Sequence, residues 1–128
     1  SNAAADGVLR SHGAIAATDV TGFGLLGHMR EMLTASAIGA EINMQALPLL
    51  PGAAESLAGG IESTLAAANR AFLPDAPLIL PDPQTAGGLL AAMPQAKAVE
   101  CVAALHAVGY RSAAIIGECT EELGIDWC

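Results

Sequence analysis

The sequence predicts an α/β (α+β) layered sandwich with a mixed sheet of about four to five short strands. Three observations predict it. Strand-like apolar runs alternate with helix-period runs in the order β-α-β-α-α-β-α-β-β. The hydrophobic share is 53% and the charged share 14%, far from the composition of a disordered chain. The 128 residues suit one domain, which at that size buries roughly 68% of its unfolded surface. Strands so few and helices so unequal do not build a TIM barrel.

Each element has its own reason. Asp6 to His12 reads as a short terminal segment, the end of a helix. Ala14 to Val20 is small, apolar and β-compatible until Thr18 and Asp19 close it. Leu25, Leu26, Met29, Met32 and Leu33 recur at helical spacing, which predicts a helix from Leu25 to Ala37 with Gly39 as its C′ residue. Ala40 to Met44 alternates as a strand. After Pro48 and Pro51, a short helix from Gly52 to Ala58 is expected, stopped by Gly59-Gly60. Ser63 is a suitable N-cap for an alanine-rich helix from Thr64 to Phe72. Pro74, Pro77, Pro81 and Pro83 exclude continuous helix between them. Leu89 to Met93 is a short apolar strand. Ala98, Cys101, Val102, Leu105 and Val108 keep the i, i+3, i+4, i+7 rule, so an amphipathic helix runs there and stops at Gly109. Ala113 to Glu118 reads as a strand ending near Gly117, with Ile125 to Trp127 as its hairpin partner.

Charge narrows the partners. Five Lys and Arg against thirteen Asp and Glu give a net charge of −8. With no basic run, the chain offers little to a polyanion, so nucleic acid is not an expected partner. No uncharged stretch reaches the roughly 20 apolar residues of a membrane helix. Cys101, Cys119 and Cys128 are an odd set with no C-x-x-C spacing, as expected of reduced thiols in a cytoplasmic protein. Ser1-Asn2-Ala3 reads as the scar of a cleaved tag, and no initiator Met follows. The expectation is one domain over residues 4–128, taken from a longer polypeptide.

The densest chemistry lies in Thr18-Asp19-Val20-Thr21-Gly22-Phe23-Gly24-Leu25-Leu26-Gly27-His28. Gly22, Gly24 and Gly27 match G-x-G-x-x-G between a strand and a helix, and Glu41 follows about 20 residues on. That is the pattern of an NAD or FAD module. Asp19 argues against it, because a pyrophosphate at the turn would meet a carboxylate. Two like charges about 4 Å apart cost on the order of 4 kcal/mol at an effective dielectric near 20. Magnesium reverses the sign by binding carboxylate and phosphate oxygens together. The blander alternative is a capped helix whose glycines serve only a turn.

A second constellation, Asp82-Pro83-Gln84-Thr85-Ala86-Gly87-Gly88-Leu89-Leu90, is by itself a turn that permits close backbone approach. Ser63-Thr64 followed by Asn69 is a weaker third element.

Together, the two long motifs resemble the C-terminal domain of the selenophosphate synthetase (selenide, water dikinase) family. Ile61-Glu62-Ser63-Thr64 with Asn69, and Ala114-Ile115-Ile116-Gly117, fall in the expected order, and the resemblance runs from about Ile15 to Gly117. It implies a PurM C-terminal-like fold, shared with aminoimidazole ribonucleotide synthetase and the hydrogenase maturation dehydratase. It also implies an activity in which ATP, selenide and water give selenophosphate, AMP and phosphate with Mg²⁺. By position, Asp19 matches the family's metal-ligating aspartate. Thr18, Thr21 and Gly22 would then lie on the ATP phosphate side, while Asp82 and Thr85 would shape a cleft. The family's N-terminal domain, with its glycine-rich segment, reactive Cys or selenocysteine, and further aspartates, is not in this sequence. The fragment alone is therefore expected to be folded but inactive, with that domain as its partner and a homodimer in the full-length enzyme. Ala86 stands where the family more usually has Ser, and none of the three cysteines matches the reactive one. A different ATP-dependent synthetase or kinase of the same superfamily is the remaining alternative.

Overall fold

The computed structural model describes residues 2–84 and 87–128. Helix α1 (Ala3–Ser11) leads into strand β1 (Ala16–Asp19), helix α2 (Gly24–Ser36) and strand β2 (Gly39–Ile42). A 3₁₀ turn over Met44–Ala46 precedes two short helices, α3 (Ala53–Ala58) and α4 (Ala66–Arg70). Strand β3 (Leu89–Ala92), helix α5 (Gln95–Ala107), and strands β4 (Gly117–Thr120) and β5 (Gly124–Trp127) complete the chain. Helices and strands follow the expected order, and the fold class is the expected α+β arrangement.

The strands, however, form two sheets. β1 and β3 pair antiparallel, with Asp19 opposite Leu89. In the second sheet β2 lies between β4, antiparallel to it, and β5, parallel to it. Each sheet has its own core. Leu26, Met29 and Leu33 of α2 pack on Ala40, Ile42 and Ile125 of the mixed sheet, with Ala76 and Leu80 closing the layer. Ala5 and Leu9 of α1 meet Cys101 and Leu105 of α5, over Leu89 and Ala91 of β3. Burial there pushes the Cys101 thiol pKa up, because the thiolate would lose its hydration.

Three expectations near β2 need correction. The left-handed residue after α2 is Ala37 (φ 53°), and the Ile38 N–H returns to the Leu33 carbonyl. Gly39 instead opens β2, where any Cβ would run into the carbonyl oxygens of Glu122 and Gly124. The β4–β5 hairpin does not form either, because β2 is inserted between its two arms. β4 starts at Gly117, where the sequence pattern predicts its end, and the close crossing of the Glu41 carbonyl there leaves no room for a side chain.

Elsewhere the differences are smaller. α5 ends as expected at Gly109 (φ 105°), and the Tyr110 N–H closes the turn on the Leu105 carbonyl. α4 is shorter than its alanine content suggested. Ser63 Oγ accepts from the Leu65 N–H in a turn ahead of the helix, whose C-terminal end loosens into i→i+3 bonds.

Candidate functional site

The two glycine-containing motifs meet where the two cores adjoin. The first is the link from β1 to α2, and the second runs from residue 80 into β3. Their backbones are stitched together: the Leu26 N–H donates to the Leu80 carbonyl (2.8 Å), the Gln84 N–H to the Thr21 carbonyl (3.0 Å), and the Val20 N–H to the Gly88 carbonyl (2.9 Å).

This contact explains two glycines. Gly24 has φ 67°, and a Cβ there would sit 2.7 Å from the Pro81 carbonyl carbon and 2.8 Å from the carbonyl oxygens of Leu80 and Asp82. At Gly87 a Cβ would collide with the Val20 carbonyl oxygen. Gly22 differs, with no atom within 4 Å of where its Cβ would lie. Asn69, the weak third element, is the clamp. Its Nδ2 donates to the Gly22 carbonyl at 2.8 Å and to the Pro81 carbonyl at 3.0 Å, so α4 locks both motifs at once.

Asp19 ends β1 with its carboxylate exposed, accepting a hydrogen bond from the Asn2 amide at 3.0 Å. Thr18 is half-buried, and its hydroxyl donates to the Asp19 carbonyl (3.3 Å). Thr21 is half-buried too, with its hydroxyl 3.2 Å from His28 Nε2 and its carbonyl also accepting from the Gly24 N–H. Thr18, Asp19, Thr21 and Gly22 thus lie on one short segment at the C-terminal end of β1.

Carboxylate, hydroxyl and carbonyl oxygens suit a hard cation such as Mg²⁺. Among the described residues no three His, Cys, Asp or Glu side chains gather to hold a metal, and Asp19 is the carboxylate that ends β1 beside the turn. Asp82 is half-buried beside Gly24, whereas Thr85 and Ala86 lie outside the described residues. Ser63 and Thr64 are exposed.

Two features of the fold correct the dinucleotide alternative. That site needs β1 and β2 as parallel strands of one sheet, and here they belong to different sheets. It also needs free amides at the helix N-terminus, yet the Leu26 amide is already bound to Leu80. Glu41, placed to read a ribose in that scheme, lies on β2 of the other sheet.

A shallow groove of about 310 Å³, which no motif in the sequence signals, runs beside the turn between α2 and α4. Phe23, Arg30, Glu31 and Phe72 line it, and the Arg30 guanidinium sits 4.2 Å over the Phe72 ring. The i, i+7 spacing from Phe23 to Arg30 places both on one face of α2, but their meeting with Phe72 depends on how α4 docks.

The family model described as AIR synthase related protein, C-terminal domain, matches residues 2–127. Selenide, water dikinase of Myxococcus xanthus is 42% identical over 114 residues, covering 80% of this chain and 32% of its own length. The enzyme of the same name from Dechloromonas aromatica is 36% identical over 126 residues, covering 89% and 36%. The chain therefore spans about a third of the length of these curated relatives. Among solved structures, E. coli HypE, a hydrogenase maturation protein, superposes with a TM-score of 0.67 at 24% identity, over 98% of this chain and 36% of the other. That likeness supports the fold.

Proposed function

Because the chain belongs to the family of AIR synthase-related C-terminal domains, we propose that it is the C-terminal part of a selenide, water dikinase. The complete enzyme would turn ATP, selenide and water into selenophosphate, AMP and phosphate. The observation that carries this reading is the stitched pair of motifs with an exposed carboxylate, Asp19, at its edge.

In this reading Asp19 is the residue that holds Mg²⁺ against the nucleotide phosphates. When bound, the ion offsets phosphate charge and so favours attack at phosphorus. This chain contributes a rigid platform. The Leu26–Leu80 and Gln84–Thr21 bonds and the Asn69 clamp fix the backbone around residues 19–22 before any ligand arrives. Thr18, Thr21 and Gly22 lie on the phosphate side. The space around Gly22 leaves its backbone open to close approach.

The remaining ligands would come from the longer polypeptide, as would the nucleophile. The test is Asp19→Asn in the full-length enzyme, which should abolish ATP turnover while leaving the melting temperature within about 2 °C of the parent, as for an exposed surface substitution. Near-normal turnover with Mg²⁺ would return Asp19 to a structural role. The 128-residue chain by itself is expected to form no selenophosphate.

A further inference from the structure

His28 is the one buried polar side chain among the described residues, at 8% exposure. It sits on the first turns of α2 beneath the residue 19–22 segment, with its ring 5.4 Å from that of Phe23 and tilted by 42°. Its two nitrogens have different surroundings. Nε2 is 3.2 Å from Thr21 Oγ1. Among the described residues buried Nδ1 has no hydrogen-bond partner, and the nearest acid is Glu31, whose Oε2 lies 4.0 Å away.

A neutral imidazole carries one N–H, and its position decides what the Thr21 hydroxyl can do. If Nε2 carries the proton, Thr21 accepts it and its own O–H points elsewhere as a donor, the form suited to a phosphate oxygen. Nδ1 then holds a buried lone pair facing a carboxylate. If Nδ1 carries the proton, the N–H faces Glu31. That side chain is 65% exposed, so a small rotation brings it into hydrogen-bond range. Nε2 is then the acceptor, and the Thr21 hydroxyl donates its hydrogen bond to it.

The electrostatics of the Glu31 carboxylate favour the second arrangement. The Thr21 backbone is pinned by two hydrogen bonds to its carbonyl, so rotation of the hydroxyl is the main freedom His28 has to control.

We propose that His28 is a positioning residue that accepts the Thr21 O–H at Nε2 and so presents the Thr21 oxygen outward as an acceptor, toward a cation or its bound water. This rests on the proposed function and keeps its site, but it replaces the placement of Thr21 on the phosphate side with one on the cation side of the turn.

The first test uses the 128-residue chain. ¹⁵N-histidine NMR at a pH where the His28 ring is neutral should find the proton on Nδ1, and Glu31→Ala should move population toward the Nε2–H form. A proton on Nε2 in the parent chain, or a tautomer unmoved by Glu31→Ala, overturns the proposal.

The second test uses the full-length enzyme. His28→Leu and Thr21→Val should each raise KM for Mg-ATP about tenfold or more, the size typical of residues that orient a metal ligand. The double variant should be no worse than either single. His28→Gln, which keeps an acceptor near the reach of Nε2, should recover most of the loss. Additive losses, or no recovery by Gln in a variant with an unchanged melting curve, overturn it. Normal turnover in Asp19→Asn would sink the proposed function while leaving the NMR result to decide the role of His28.

Discussion

Two glycines two residues apart should respond in opposite ways to the same substitution. In Gly24→Ala the alanine must adopt φ 67°, which costs an L-residue about 1–2 kcal/mol. It also enters a space bounded by three backbone atoms at 2.7–2.8 Å, with no flexible side chain to give way. Overpacking of that kind typically costs about 1–3 kcal/mol. Reduced entropy of the unfolded chain returns about 0.4–1 kcal/mol. The net loss is roughly 2–4 kcal/mol, a large part of the 5–15 kcal/mol typical of a folded domain.

In a chain of this size that corresponds to a fall of about 10 °C in melting temperature. Gly22→Ala meets no atom within 4 Å, and Gly22 is not among the glycines with positive φ. It should therefore leave stability within about 0.5 kcal/mol or raise it slightly. Urea unfolding followed by circular dichroism, with the slope checked for constancy, measures both. A Gly24→Ala variant within 0.5 kcal/mol of the parent, or a Gly22→Ala variant that is the more damaged, would refute the assignment of Gly24 to backbone packing.

The other expectations are briefer. Asn69→Ala leaves the carbonyls of Gly22 and Pro81 short of a donor and should cost about 1–3 kcal/mol in the same unfolding assay. Native chain treated with a thiol reagent should label quickly at exposed Cys119 and Cys128, and at Cys101 only on unfolding, as read by mass spectrometry. Because burial raises the Cys101 pKa, its contribution to stability is full below the ordinary thiol value of 9.0 and is lost as pH rises through the higher folded value. A Cys101→Ala variant should lack that alkaline slope. Glu41 faces Glu118 on one neighbouring strand and Asp126 on the other. Glu41→Lys should therefore stabilise the chain by about 0.5–1 kcal/mol at low salt, and a melting series in NaCl should show the gain shrinking.

Much of this could be read from residue order, and the limits have physical causes. α2 and α5 declare themselves through apolar spacing, and Gly109 is a stop because nothing else tolerates its φ so cheaply. The strands are only four residues long, too short for their side chains to specify a partner. The sequence therefore located β4 and β5 approximately, but not the insertion of β2 between them.

The same holds at the candidate site. Both motifs were visible, as was the oddity of an aspartate beside them. A glycine that admits a phosphate and a glycine that admits another stretch of backbone look identical in a sequence, so the roles of Gly22, Gly24 and Gly87 separate only in three dimensions. Asn69 stands out in the sequence only by its place in an ordered series, and its function as a clamp depends on two carbonyls 47 and 12 residues away. Gly39 misled because glycine after a helix is so often a cap.

The position of β2 also sets an order of events in folding. Its partners are residues 117–120 and 124–127, almost eighty residues or more further along. On a ribosome the central strand of this sheet emerges early and waits, with both edges open, until the last of these segments is released. Closing so long a loop before any pairing is rewarded is slow compared with forming a helix. During that wait Ile42, fully buried once the sheet is complete, has neither Ile125 nor its neighbouring strands. A chain shortened by its last five residues should lose β5 and with it much of the larger core, and the exposed edge of β2 would then invite pairing between molecules.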